Sequence, residues 1–121
     1  IAGDGTSLFV CRGDGGLVRY DGKGHGTVLF DGPVGESNKI SGRVNGVAVD
    51  SKYIYVACGG YGLVVLDKTK AKGENVVARR RAFYDGKESY NSANYVTLYK
   101  DYICVAYGRS RVQIFKLVNT K

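Results

Sequence analysis

The chain has 121 residues, a formal net charge of +7, 18 glycines, one proline, and neither Trp nor Met. That glycine-to-proline balance excludes a disordered Pro-rich linker and fits hairpin-dense β-structure. No apolar run reaches the length of a membrane-spanning helix, and no signal peptide is visible. The basic balance favours acidic partners such as nucleic acid, anionic glycans or a membrane surface. The cations, however, are spread over strands and loops, as expected of residues that guard exposed strand edges, and nucleic acid is disfavoured.

In chain order, residues 7–12, 17–21 and 27–30 carry the β-branched and aromatic residues of strands. A glycine-rich tip at 13–16 and the turn Asp21-Gly22-Lys23-Gly24-His25-Gly26 separate them. Lys23 stands where a calcium loop would place an oxygen ligand, so that turn is no metal site. Residues 32–42, with Pro33, form a polar connection. The spacing then predicts strands at 44–50, 53–58 and 63–67, a basic turn over 68–75, and an outer strand over 76–84. After a connection at 85–93, further strands are predicted at 94–98, 102–107 and 112–117.

The order repeats. Residues 6–21, 52–67 and 101–116 superpose without gaps, with Gly13, Gly59 and Gly108 at one position and Val10, Val56 and Val105 at another. The offsets are 46 and 49 residues. A strand-only repeat of that period points to β-propeller blades, which close in rings of about four to eight. The predicted fold is all-β: part of a propeller, with three four-stranded antiparallel blades at about 1–31, 44–84 and 94–118, the first and last incomplete. With Ile at its start and no Met, the chain reads as part of a longer polypeptide, C-terminal in its parent. The remaining blades, in the same parent chain or a second chain, are its expected partners. Three strands at the end would suit closure by a strand from elsewhere.

Tyr55-Val56-Ala57, Gly59-Gly60-Tyr61-Gly62 and Leu63-Val64-Val65-Leu66-Asp67 resemble the LVIVD repeat of bacterial propeller-like proteins. The first copy keeps Leu17-Val18 and Asp21 around Arg19 and Tyr20; the last reads Val112-Gln113-Ile114-Phe115-Lys116. The absence of Trp argues against WD40 blades. The resemblance implies a propeller over nearly the whole chain, an exported periplasmic or cell-surface location, and no catalytic residues to carry over.

Cys11, Cys58 and Cys104 fall in the second strand of each copy but at different repeat positions, which suits small, reduced core fillers. Strand parity brings Cys11 and Cys58 toward one interface, but sheets about 10 Å apart exceed disulfide reach. With a single His and no C-x-x-C spacing, no metal ligand set and no cofactor is expected. Arg12-Gly13-Asp14 is an RGD tripeptide, yet its glycine is explained by the turn. Arg79-Arg80-Arg81 reads as a protected edge or, more sharply, an anion-binding rim. The aspartates Asp14, Asp31, Asp50, Asp67 and Asp85 mostly follow strand ends as turn formers, so no catalytic carboxylate pair is indicated.

The expected function is a non-enzymatic binding or scaffolding module with a protein or glycan ligand. The alternative is a carbohydrate- or anionic-polymer-binding propeller, possibly within a secreted hydrolase. In a four-stranded blade, the hairpin between strands two and three opens on the same side as the blade-to-blade crossover. That face gathers Asp14, Lys39, Arg43, Tyr61, Tyr90, Arg109 and Arg111, with Asn45 and Asn94 at the innermost strands as channel-mouth residues or plain turn formers. Tyr61 and Tyr90 are the loop aromatics suited to stacking on sugars or bases.

Overall fold

The computed structural model describes residues 1–32, 43–84, 86–89, 91–109 and 111–118. Among them there are thirteen strands and no helix. The first sheet contains β1 (Ala2–Gly3), β2 (Leu8–Cys11), β3 (Leu17–Tyr20) and β4 (Gly26–Phe30), in that spatial order and antiparallel throughout. The second repeats the meander with β5 (Gly46–Val49), β6 (Tyr53–Ala57), β7 (Leu63–Asp67) and β8 (Val76–Arg80). A short hairpin of β9 (Ala82–Tyr84) and β10 (Lys87–Ser89) follows. The third sheet has three described strands, β11 (Ala93–Tyr99), β12 (Tyr102–Tyr107) and β13 (Val112–Lys116). No sheet closes on itself among the described residues.

Two of the predicted boundaries need correction. The outer strand expected over 76–84 is two strands: β8 stays in the second sheet, while β9 leaves it after Arg81 to pair with β10. The connection expected over 85–93 therefore contains a strand. The local sequence is the reason, since Gly86 takes φ 76° and lets the chain reverse between Tyr84 and Lys87. The connection at 32–42 lies outside the described residues apart from Gly32.

The turns reuse one device at matching positions. Asp4 Oδ1 accepts from the Thr6 and Ser7 amides, and Asp50 Oδ1 accepts from Lys52 and Tyr53. Asp21 and Asp67 do the same for Lys23 and Thr69. Each carboxylate replaces a turn hydrogen bond and sets where the next strand begins. In the third copy Lys100 instead takes φ 53° in the two-residue turn between Tyr99 and Tyr102.

Packing explains why the second copy is the most apolar. Ile54, Val56, Val64 and Leu66 point from one face of the second sheet into a core shared with Phe9, Leu17, Leu29 and Phe30 of the first. Tyr55, Ala57, Leu63 and Val65 point from the other face into a core shared with Val96, Ile103, Val105 and Tyr107 of the third. A strand covered on both faces has no polar side to show, so β6 and β7 lose the alternation seen in β13. Each fully buried Val, Leu or Ile contributes about 1.5–3 kcal/mol relative to exposure. The middle sheet is thus the energetic centre of the chain.

Polar links tie the sheets together. The Gly13 and Val44 amides exchange hydrogen bonds of 3.1 and 3.2 Å, joining the first hairpin tip to the second sheet. Gly59 and Ala93, at the equivalent positions, exchange bonds of 3.0 and 2.7 Å and join the second tip to the third sheet. Asn75, buried at 2% exposure, donates from Nδ2 to the Leu29 carbonyl at 2.8 Å. Lys68 reaches across to Asp4 at 2.9 Å with its ammonium over the Phe9 ring, and its hydrogen bond, followed by those of the Ser7 and Thr6 amides, holds the Asp4 carboxyl well below the usual range.

Candidate functional site

The hairpin tips at 13–16, 59–62 and 108–111 stand at the same place in three successive sheets, and the inter-sheet glycine bridges fix the first two. Arg43 lies against the first tip. Its Nε is 3.4 Å from Asp14 Oδ1, with both side chains exposed, and its guanidinium covers Gly13 so closely that a Cβ there would be 3.2 Å from Nη2. Arg109 and Arg111 are exposed on the third tip. This rim therefore carries three guanidinium groups and one carboxylate from the expected set. An exposed pair such as Asp14–Arg43 contributes about 0–1 kcal/mol, so its groups exchange readily with a charged ligand.

The other expected residues have different roles. Tyr61 is corrected: its ring is only 6% exposed and belongs to the core between the first and second sheets, with the Arg81 guanidinium 5.9 Å from its centroid. A ring held there fills a gap between sheets and is not presented for stacking. Asn45 donates from Nδ2 to the Ala93 carbonyl at 3.2 Å, a further link between the second and third sheets. Asn94 accepts from the Ser92 hydroxyl at 2.7 Å, a local turn contact. Lys39 and Tyr90 lie outside the described residues.

The arginine run supplies a second place. Arg79, Arg80 and Arg81 line a cleft of about 170 Å³ together with Tyr61, Val64 and Glu88. Strand alternation sends Arg79 and Arg80 to opposite faces, as their pairing with Val64 and Leu63 requires. They converge on one cleft because β8 is the edge of its sheet and the chain leaves it after Arg80. Arg80 also stacks 5.1 Å from the Phe83 ring. Along the same edge a larger cleft of about 490 Å³ runs between the second and third sheets, walled by Leu63, Val65 and Ala78 on one side and by Ile103, Phe115 and Leu117 on the other. Its position beside β13 is where β4 and β8 lie in the first two sheets.

The titratable groups behave as structural elements. Burial pushes the Cys58 thiol up to about 12, with neighbouring Cys11 adding to it, and burial raises Cys11 as well. All three cysteines are free; Cys58 is buried, while Cys11 and Cys104 are half-buried, less covered than pure core fillers. Burial also pushes Tyr107 up to about 12, and its hydroxyl donates to the Arg80 carbonyl at 3.3 Å. For Asp50, burial works against ionisation but is outweighed by the Tyr55 hydroxyl at 2.6 Å and two backbone amides, which hold the carboxyl low. Burial, followed by that same contact, raises Tyr55. Sequence reasoning missed Asn75 and the Asp4–Lys68 pair. The only signal for either was an Asn or Asp closing a turn, which also describes ordinary turn residues.

No family model and no curated protein matches this chain. Among solved structures it is similar to the computationally designed Ika4 protein, with a TM-score of 0.63 at 11% sequence identity. The likeness covers 96% of this chain and 63% of the designed one, so the chain spans about 63% of that protein's length. At this identity the likeness bears on the fold alone.

Proposed function

We propose that this chain is a non-enzymatic binding or scaffolding module, a partial β-propeller of the bacterial LVIVD-like type acting outside the cytoplasm. The observation that carries the reading is the repeated junction. Both inter-sheet contacts use the same repeat positions, sealed by the same glycine-to-next-sheet bridge. Sheets stacked by a constant operation build a rigid frame whose hairpin tips share one rim, and rigid frames are where binding loops concentrate. The rim residues of the proposed site are Asp14, Arg43, Arg109 and Arg111, and its ligand is a protein or glycan bearing negative charge.

The test is a pull-down with wild type, the double reversal Arg43→Glu with Arg109→Glu, and the control Lys70→Glu. Loss of the native partner by the double reversal alone supports the rim. Loss with Lys70→Glu and retention by the double reversal rules it out.

A second reading, an anionic-polymer or carbohydrate-binding propeller, is favoured by the cleft that Arg79, Arg80 and Arg81 share. Heparin serves as the probe. Retention on a heparin column that falls when these three residues become Gln, and not when Arg43 and Arg109 do, assigns the charge to the cleft.

A further inference from the structure

Glu88 is the one carboxylate among the described residues that line the arginine cleft, and three contacts of its hairpin fix where it stands. In β10 it pairs with Phe83 of β9, so the position of Phe83 sets that of Glu88. The Gln113 amide spans Phe83 from the third sheet: its Oε1 accepts from the Phe83 N–H at 3.1 Å, and its Nε2 donates to the Phe83 carbonyl. Next to it, Ala82 is fully buried in the core between the second and third sheets. The Arg80 guanidinium lies over the Phe83 ring. A lone two-stranded hairpin is marginal in water. Anchored at these points, β9 and β10 hold a carboxylate against three arginines.

Glu88 makes no ion pair among the described residues, so its carboxylate keeps its acceptor sites for a ligand. Guanidinium forks bind a carboxylate or a sulfate through two parallel N–H···O bonds. An ionised carboxylate, by contrast, only accepts. A ligand that satisfies both must present an anionic group and, beside it, an O–H or N–H. At about 170 Å³ the cleft is well below the roughly 300–1,000 Å³ of a pocket that encloses a whole ligand. It therefore suits the acidic edge of one unit in a longer chain.

Two kinds of anionic polymer differ on this point. An acidic polysaccharide carries hydroxyl or N–H groups on the carbons next to its carboxylates and sulfates. A polyphosphate chain presents anionic oxygens alone. Beside Glu88 the first finds an acceptor and the second a like charge. A repulsive element against the wrong ligand is one of the two ways a site discriminates, and here one side chain supplies both.

We propose that the arginine cleft recognises an acidic sugar unit of a polysaccharide. Arg79, Arg80 and Arg81 take its carboxylate or sulfate, and Glu88 accepts from the neighbouring hydroxyl or N–H. The β9–β10 hairpin is then part of the site, and Glu88 is its specificity-determining residue. This rests on the anionic-polymer reading of the cleft and is independent of the hairpin-tip rim.

The experiment measures binding of a fluorescent heparin hexasaccharide to the whole chain by anisotropy. Unlabelled hexasaccharide and inorganic polyphosphate of matched charge compete for it at fixed ionic strength. Wild type should bind the hexasaccharide about tenfold tighter than polyphosphate, the scale of one hydrogen bond to a charged group. Glu88→Ala should weaken the hexasaccharide and tighten polyphosphate, closing that gap. Glu88→Gln keeps an acceptor and loses the charge, so it should fall between the two for the hexasaccharide and match Glu88→Ala for polyphosphate. A wild type without preference, or Glu88→Ala tightening both polymers alike, would overturn the proposal, because Glu88 would then only repel anions. If replacing the three arginines by Gln still weakens both polymers in that case, the cleft reading stands without it. If that replacement leaves hexasaccharide binding unchanged, the cleft reading fails and the proposal with it.

Discussion

Replacing Gly62 by Ala tests the stacking geometry at its tightest point. Gly62 sits at φ 80°, and an added Cβ would meet the Arg80 carbonyl oxygen and lie 2.7 Å from Arg81 Cα. The left-handed conformation costs a non-glycine residue about 1–3 kcal/mol. Pushing β8 away to make room adds about 1–3 kcal/mol of overpacking. Reduced freedom of the unfolded chain returns about 0.4–1 kcal/mol. The net loss is roughly 3 kcal/mol, and with a urea m-value of about 2 kcal/mol/M the midpoint should fall by about 1.5 M. Gly16→Ala should behave alike, because its Cβ would meet Phe30 and Asp31 in the same way. Arg111→Gly is the counterpart: relief of the left-handed cost is offset by the freedom that glycine gains when unfolded, so stability should stay within about 1 kcal/mol. If Gly62→Ala shifted the midpoint no more than Arg111→Gly, the close approach of β8 to the hairpin would be wrong.

Other outcomes follow from single contacts. Asn75→Ala leaves the Leu29 carbonyl unpaired in the core and should cost about 1–3 kcal/mol in the same urea assay. The Asp4 carboxyl, held low by Lys68, contributes stability that is complete above the unfolded carboxylate value of about 3.9, shrinks as pH falls below it and is lost only as pH falls through the much lower folded value. Asp4→Asn should therefore lower the melting temperature more at pH 6 than at pH 2; an equal effect at both would remove the ion pair as the cause. With its thiol pushed up to about 12 by burial, Cys58 should stay unreactive toward a thiol reagent at pH 8 until the chain unfolds. Fast modification of Cys58 in the folded protein would contradict its placement between the first two sheets.

The strand repeat and the three hairpins were legible because turn glycines and β-branched runs are local signals that recur at one spacing. Asp50 and Asp67 were likewise legible as turn formers, since an Asx turn needs only its neighbours in sequence. What escaped depends on neighbours distant in sequence. Tyr61 looks like a loop aromatic between glycines, and only the first sheet's approach makes it a core residue. The 76–84 segment is continuous in propensity, but β8 ends at Arg80, opposite Leu63 where its antiparallel partner β7 begins, and β9 finds β10 through a glycine turn. Asn75 and Lys68 look like parts of a basic turn until the sheet beside them supplies Leu29 and Asp4. Arg111 aligns with two glycines, and the meaning of that mismatch depends on whether a fourth strand lies nearby.

The central claim is that the three sheets stack in chain order through equivalent faces, with the second sheet buried between the others. Methyl and aromatic NOEs test it most directly. The account predicts contacts from Phe9 to Ile54 and Val56, from Val65 to Ile103 and Val105, and none between Phe9 and any of the last two. Contacts from Phe9 to Ile103 or Val105, or the absence of those between Val65 and the third sheet, would contradict it.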